Sequence, residues 1–274
     1  MILESYSKFG NDLSVSLMPQ MRFEKVIPSA RLRPYVRQIV ITENVEEETY
    51  KIFPSLGLVV GFQYRGRLSI LSGAVESRLS PCGITGISDS FKVFKNTAGI
   101  GTVLVFFTEV GLAQFSSCPA QELFNQSVSL DNLFDKQKVA DVEESLALAL
   151  TDNERVRAVE LFLEEQLKEK AQDQLIVKAV TLIYTSRGSI RIKELLQQLH
   201  ISQSAFEKRF RKVVGTSPKK FASIVRFNAV LKDLGQEKSL TEICYVNNFF
   251  DQAHFIKDFR QYTGDSPENF KRFL

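Results

Sequence analysis

"FEKRFRKVVGTSPKKF" (residues 206–221) and "HFIKDFRQYTGDSPENF" (residues 254–270) decide how this chain is read. Both contain F-x3-F-R-x3-G-x-S-P-x2-F, beginning at Phe206 and at Phe255, 49 residues apart. Two copies are too few, and 49 residues too long a period, for a stacked solenoid. The repeat predicts two self-sufficient helical units of the same design.

Within the first unit, Ile192, Leu195, Leu196 and Leu199 make the apolar stripe of a short helix, "RIKELLQQLH". The turn "HIS" follows, with Ser202 placed to cap the next helix. There Phe206, Phe210 and Val213 fall at i, i+4 and i+7 and predict a buried face, while Gln203, Ser204, Glu207, Lys208 and Arg211 fall on an outward stripe. Gly215 ends the helix where left-handed backbone is wanted. Ser217 and Pro218 start another as N-cap and first helical residue. The second unit repeats the plan. "LTEICYV" is its first helix, "NNFF" its turn and Asp251 its N-cap. Phe255, Phe259 and Tyr262 are the buried stripe, and Gln252, Ala253, Ile256, Lys257 and Arg260 the outward one. Between the units, "SPKKFASIVRFNAVLKDL" (217–234) lacks an internal Gly or Pro and reads as one connecting helix.

Two short helices joined by a tight turn, the second carrying Gln, Lys and Arg outward, describe a helix-turn-helix. Such a second helix fits the major groove, where amide and cationic side chains match base-edge donors and acceptors. Two units on a stiff connector can address consecutive grooves roughly 34 Å apart. A plain bundle with a solvated stripe is the competing reading, and the charge distribution weighs against it. Residues 176–274 hold 17 Lys/Arg against 9 Asp/Glu, a net of +8, whereas residues 1–175 hold 18 against 23, a net of −5. A basic half joined to an acidic one points to a polyanion partner.

Residues 176–274 resemble the DNA-binding domain of the AraC family of bacterial transcription regulators, and "LTEICYVNNFFDQAHFIKDFRQYTGDSPENF" follows the family pattern nearly throughout. The resemblance implies base-reading roles for Gln203, Ser204, Glu207 and Lys208, then for Gln252, Ala253, Ile256 and Lys257. Arg211, Lys219 and Arg260 are expected at phosphates, giving affinity and salt dependence rather than specificity. The chain also departs from the family. The usual small Ala of each first helix is Leu196 and Cys244 here, and Phe250 stands where Ser is usual. The turn Gly of the second unit is Asn248, preceded by Asn247, and Asn tolerates the left-handed region. Ala253 and Ile256 offer only apolar contact, as to a thymine methyl, so the second unit is expected to read sequence less stringently.

A chain of 274 residues suits two domains, expected at 1–170 and 175–274 with charged "KEKAQDQ" (168–174) as the boundary. β-branched and aromatic runs at 36–43, 56–64, 67–71, 82–88, 91–95 and 101–107, punctuated by Gly, Pro, Ser and Asn, predict strands of a sandwich or small barrel. Residues 142–150 and 153–170 read as helices, with Val156, Val159, Leu163 and Leu167 at helical spacing. The expected fold class is α+β: a barrel or sandwich followed by helices, then an all-α domain of two helix-turn-helix units joined by a long helix. "IPSARLRPYVRQIVITE" and "FPSLGLVVGFQYRGRLSIL" resemble the cupin-like sensor domain that precedes some AraC-type domains. That resemblance implies control by an effector or partner, and a homodimer formed through residues 142–170.

The residue inventory narrows the chemistry. Both histidines, His200 and His254, lie in the helix-turn-helix region, so an imidazole-ligated metal centre in the barrel is excluded, and no cofactor is expected. "GFQYRG" lacks both the spacing and the lysine of a nucleotide-binding loop. Cys82, Cys118 and Cys244 form neither a CxxC nor an even disulfide framework, and Cys82 in "SPCGITG" reads as an inert strand cysteine. Arg65, Arg67 and Arg78 offer cations for an anionic effector, against the plainer reading that strand-end arginines are solvated. The opening "MILESYSKFGNDLSVSLMPQ" is not a secretory signal, and the apolar runs 56–62 and 100–107 are too short to span a bilayer. A cytoplasmic location follows.

The reading is a non-enzymatic, sequence-specific regulator, activator or repressor, with duplex DNA, RNA polymerase and an unidentified small-molecule effector as partners. The competing class is a cupin-like small-molecule enzyme or binding protein whose helical domain docks a partner. Selection from random duplex DNA separates the two.

Overall fold

The computed structural model describes residues 21–168, 170–236, 238–249 and 252–272. The opening stretch, Phe250 and the expected cap Asp251 lie outside the described residues, as does the side chain of His254.

Among the described residues, ten strands occupy the first half: β1 (Met21–Val26), β2 (Val36–Asn44), β3 (Glu48–Ile52), β4 (Val59–Arg65), β5 (Leu68–Ser72), β6 (Val75–Arg78), β7 (Cys82–Thr85), β8 (Lys92–Asn96), β9 (Ile100–Phe107) and β10 (Ser127–Ser129). They form a six-stranded sheet ordered β1-β2-β9-β4-β7-β10 and a four-stranded sheet ordered β3-β8-β5-β6. Every pairing in both is antiparallel. The α+β class and the paired-sheet architecture are as expected.

Strand alternation makes the six-stranded sheet two-faced. On β9, Thr102, Leu104 and Phe106 look into a cavity of about 710 Å3 between the sheets. Val103, Val105 and Phe107 look the other way, into a core with Val142, Val159 and Phe162. Those three belong to α1 (Lys136–Leu148) and α2 (Asp152–Gln166), which cover the outer face. Helix α1 starts before the expected 142 because Asp135 caps it, its carboxylate accepting from the amides of Gln137 at 2.9 Å and Lys138 at 3.3 Å. Helix α2 opens on a capping box between Thr151 and Glu154 and stops at Gln166, short of the expected 170. Strands β1, β3, β6 and β10 escaped the sequence reading. None is fully buried at any position, and β6 is exposed throughout, so they lack the apolar runs that mark the others.

Among the described residues, seven helices follow: α3 (Gln174–Thr185), α4 (Ile192–Leu199), α5 (Gln203–Val214), α6 (Pro218–Leu234), α7 (Leu240–Val246), α8 (Gln252–Thr263) and α9 (Pro267–Arg272). The units are not self-sufficient. Phe206 and Phe210 of the first share one core with Phe255, Phe259 and Tyr262 of the second, bridged by Phe221, Phe227 and Val230 of α6. Phe53, Leu56, Ile87 and Val110 of the β-rich half join the same core. Buried Glu109 strengthens this junction by accepting from both Arg37 and the Tyr184 hydroxyl.

Candidate nucleic-acid interface

In the first unit, α4 stops at His200, which takes the left-handed conformation at φ 52° and turns the chain toward α5. Ser202 holds the N-cap position of α5, yet its hydroxyl makes no capping hydrogen bond. Phe206 and Phe210 are buried as expected, but Val214 rather than Val213 completes the face. A helix advances 3.6 residues per turn, so i+7 and i+8 straddle the stripe, and the last turn chose the latter. Gly215 ends the helix at φ 99°, and Ser217 Oγ accepts from the Lys220 amide at 3.2 Å to cap α6 behind Pro218.

The second unit reaches the same turn differently. Asn248 adopts φ 54°, the conformation expected of it in place of glycine. Asn247 is buried and ties the turn to the connecting helix, donating to Asp233 Oδ2 at 2.8 Å and to the Ile243 carbonyl at 2.9 Å. Asp233 also accepts from Lys238 Nζ at 2.9 Å. Burial by itself would raise its pKa, but the hydrogen bonds from Lys238 and Asn247 and the charges of Lys238 and Arg187 outweigh that, and the net shift is downward.

The outward stripes lie largely where expected. Gln203, Ser204, Lys208 and Arg211 are exposed on α5, while Glu207 is half-buried and accepts from Gln203 Nε2 at 2.9 Å. Gln252, Ala253, Lys257 and Arg260 are exposed on α8. Ile256 is half-buried against the core, so it is less outward than its place on the helix implied. Arg211 and Lys219 share the rim of a cleft between α4, α5 and the start of α6 with a third cation, Lys193. Lys193 was missed because it sits inside an apolar-stripe helix, on the turn facing away from the stripe.

The C-terminal ends of α5 and α8 rest on the β-rich half. A Cβ built on Gly215 would lie 3.0 Å from the carbonyl oxygen of Ala120. At the end of α8, the Thr263 carbonyl accepts from Lys51 Nζ at 3.2 Å, Gln261 Nε2 donates to the Asp89 carbonyl at 3.1 Å, and Gly264 lies against the Phe91 ring. The first turns, with Gln203, Ser204, Gln252 and Ala253, stay at the surface.

A family model described as a helix-turn-helix domain matches residues 195–272. These residues form an AraC-type helix-turn-helix domain. The Msm operon regulatory protein of Streptococcus mutans is 32% identical over 93 residues, 33% of this chain and 34% of that protein. The chain thus matches about a third of the length of this curated relative. Among solved structures, ToxT from Vibrio cholerae is similar over 86% of this chain and 98% of its own at 12% identity and a TM-score of 0.47. The AraC-like transcriptional activator CuxR is similar over 96% of each chain at 11% identity and a TM-score of 0.30.

The AraC-type domain also forms part of the cavity wall, through Phe270 of α9. Phe270 meets Phe53 of the β-rich half at a ring-centroid distance of 5.5 Å and Phe259 of α8 at 5.4 Å. Of the three arginines considered for an effector, only Arg78 lines the cavity, while Arg65 pairs with Glu43 at 2.7 Å and Arg67 is exposed. Lys92, not foreseen, lines it too. Strand alternation puts it on the face shared by Phe94 and Asn96, a signal legible in "KVFKN". Cys82 is buried, and its thiol pKa is pushed up by burial and by nearby Glu143, so it is not poised as a nucleophile. Among the described residues, no three His, Cys, Asp or Glu side chains gather as a metal site.

Proposed function

We propose that the chain is a transcription regulator that reads a specific duplex site with α5 and α8 in consecutive major grooves. Residues 175–274 serve as the reading unit and residues 1–170 as the unit that senses an effector or partner and dimerises. The observation that carries this reading is the arrangement of the recognition helices. Their polar first turns face solvent while their C-terminal ends are held by the β-rich half. A helix presented this way offers its N-terminal residues to base edges.

Gln203, Ser204, Glu207 and Lys208 are assigned to one box, and Gln252, Ala253, Ile256 and Lys257 to the other. Gln252 and Lys257 dominate the second box, because Ala253 has no polar group and Ile256 is half-buried. Arg211, Lys219 and Arg260 are assigned to phosphates. Lys193 joins them from the rim of the first cleft, beside the capped N-terminus of α6.

Effector control is supported by the wall the two halves share. Any ligand filling the cavity touches Phe53 and Phe270, and Phe270 packs on the buried face of α8. Dimerisation is supported by apolar surface on the α1–α2 hairpin, where Leu148 is 71% and Leu150 86% exposed. RNA polymerase is the further partner this reading requires. The chain works as a non-enzymatic cytoplasmic protein, and no helix among the described residues is long and apolar enough to cross a membrane.

Selection from random duplex DNA at about physiological salt tests the core of the reading. It should return a two-box site with the boxes about one helical turn apart. Weak binding indifferent to sequence would overturn it.

A further inference from the structure

We propose that Asp89 is a positioning residue for DNA reading: its loop clasps the ends of both helix-turn-helix units, fixes the relation of α5 to α8 and thereby sets the spacing of the two boxes. This rests on the reading of α5 and α8 as base readers, and it places part of the specificity in the β-rich half.

The loop between β7 and β8 reaches both units at one point. The Asp89 carboxylate pairs with Lys220 Nζ at 3.6 Å, and Lys220 stands on the first turn of α6, just after the first unit. The backbone carbonyl of the same Asp89 accepts from Gln261 Nε2 of α8 at 3.1 Å. The units themselves meet there. Lys220 Nζ lies 6.0 Å from the centroid of the Tyr262 ring of α8, and the Tyr262 hydroxyl is 2.8 Å from Ser223 Oγ of α6.

The clasp is braced from behind. Asn125, at φ 60°, donates through its amide to the Ile87 carbonyl at 2.9 Å and through Nδ2 to Asp89 Oδ1 at 3.0 Å. Its Oδ1 accepts from the Asp89 amide at 3.0 Å. One carboxylate oxygen of Asp89 is thus held by the β-rich half, and the other, Oδ2, faces Lys220.

Helix α6 connects the units, whereas the clasp ties their far ends to one fixed point. That matters because each added base pair moves a box by about 3.4 Å and turns it by about 35° around the duplex. Units held in one relation fit one spacing, while units free to swing fit several and must be ordered on binding. A half-exposed ion pair adds little stability by itself, so the test reverses charge rather than deleting it.

The selected two-box duplex is rebuilt with the boxes one or two base pairs closer or farther apart. Each duplex is titrated with the full chain as wild type, Asp89→Lys, Lys220→Asp and the double exchange. The wild type should prefer its own spacing over a one-base-pair change by about tenfold or more. Asp89→Lys should reduce that preference to about threefold or less, and the double exchange should bring it back to within about twofold of wild type. A loss of affinity shared by all spacings, as a merely weakened fold gives, would overturn the proposal, as would a preference that Asp89→Lys leaves intact. If Asp89→Lys does not fold, Lys220→Asp sets two acids against each other at the same point and gives the same comparison.

A DNA-free measurement separates the clasp from the regulator reading. Spin labels on Ser204→Cys and Ala253→Cys, in a Cys118→Ser, Cys244→Ala background, report the distance from α5 to α8 by pulsed dipolar spectroscopy. A narrow distribution that broadens in Asp89→Lys and narrows again in the double exchange keeps the clasp, and failed duplex selection then removes the regulator alone. Specific DNA binding with a distribution that ignores Asp89→Lys keeps the regulator and removes the clasp.

Discussion

The ammonium of Lys51, on β3, donates to the carbonyl oxygen of Thr263, the last residue of α8, across 3.2 Å. It also lies 4.7 Å from the centroid of the Phe91 ring, which packs on Gly264 just beyond that helix. A cation at a helix C-terminus meets the negative end of the helix dipole, so the β-rich half steadies α8 electrostatically as well as by packing. Lys51→Met should loosen that end. Amide exchange at residues 260–264 should speed up roughly two- to fivefold while α5 is unchanged. Equal acceleration in both helices would mean that the contact is not local.

Base readers and phosphate contacts should separate in mutational tests. Lys208→Ala or Gln252→Ala is expected to cost about 1–3 kcal/mol and relax preference at one box. Lys219→Ala should weaken all duplexes about equally and reduce the salt slope by about one. Titrations at several salt concentrations read both. If Lys208→Ala behaves as the phosphate variant does, the first recognition helix docks otherwise than proposed.

Asn248 holds a left-handed turn at φ 54° that a β-branched side chain resists. Asn248→Gly should leave stability nearly unchanged, whereas Asn248→Val should lower it by about 1–2 kcal/mol. Chemical denaturation of the full chain followed by circular dichroism distinguishes them.

Asp233 makes the second unit acid-sensitive. Its folded pKa lies below the unfolded value of about 3.9, so its contribution is complete above that value and lost as pH falls through the folded one. Asp233→Asn should cost about 2 kcal/mol at neutral pH, because Lys238 and Asn247 lose a charged acceptor. The gap between variant and wild type should narrow as pH falls below about 3.9 toward the depressed folded pKa of Asp233. Urea midpoints at neutral and acidic pH measure it, and a gap that stays constant would remove the carboxylate's charge from the account.

Leu148 and Leu150 provide the handle on assembly. The wild type is expected to sediment as a dimer at micromolar concentration and Leu150→Asp as a monomer. A monomeric wild type would count against dimerisation through residues 142–170.

The AraC-type half was legible because its signals are local. Phe206, Phe210, Phe255 and Phe259 repeat at helical spacing, Gly215 stands where a left-handed residue is required, and Ser217-Pro218 starts a helix in any context. Asn248 was readable for the same reason. Val214 was not, since a choice between adjacent positions in a last turn depends on what packs there. Strand β6 was not either, because an exposed edge carries no apolar pattern.

The sequence by itself determined two helix-turn-helix units, the residue types on their outward faces and a basic half joined to an acidic one. Tertiary structure decided what those units are attached to. It merged their cores through α6, set the ends of α5 and α8 against Ala120 and Lys51, and turned Lys92 from a strand lysine into a cation lining a cavity between the sheets. Periods of 3.6 and 2.0 fix which residues share a face. Whether that face meets water, a core or a cavity depends on elements far away in the chain, as Lys51 and Thr263 are, 212 residues apart.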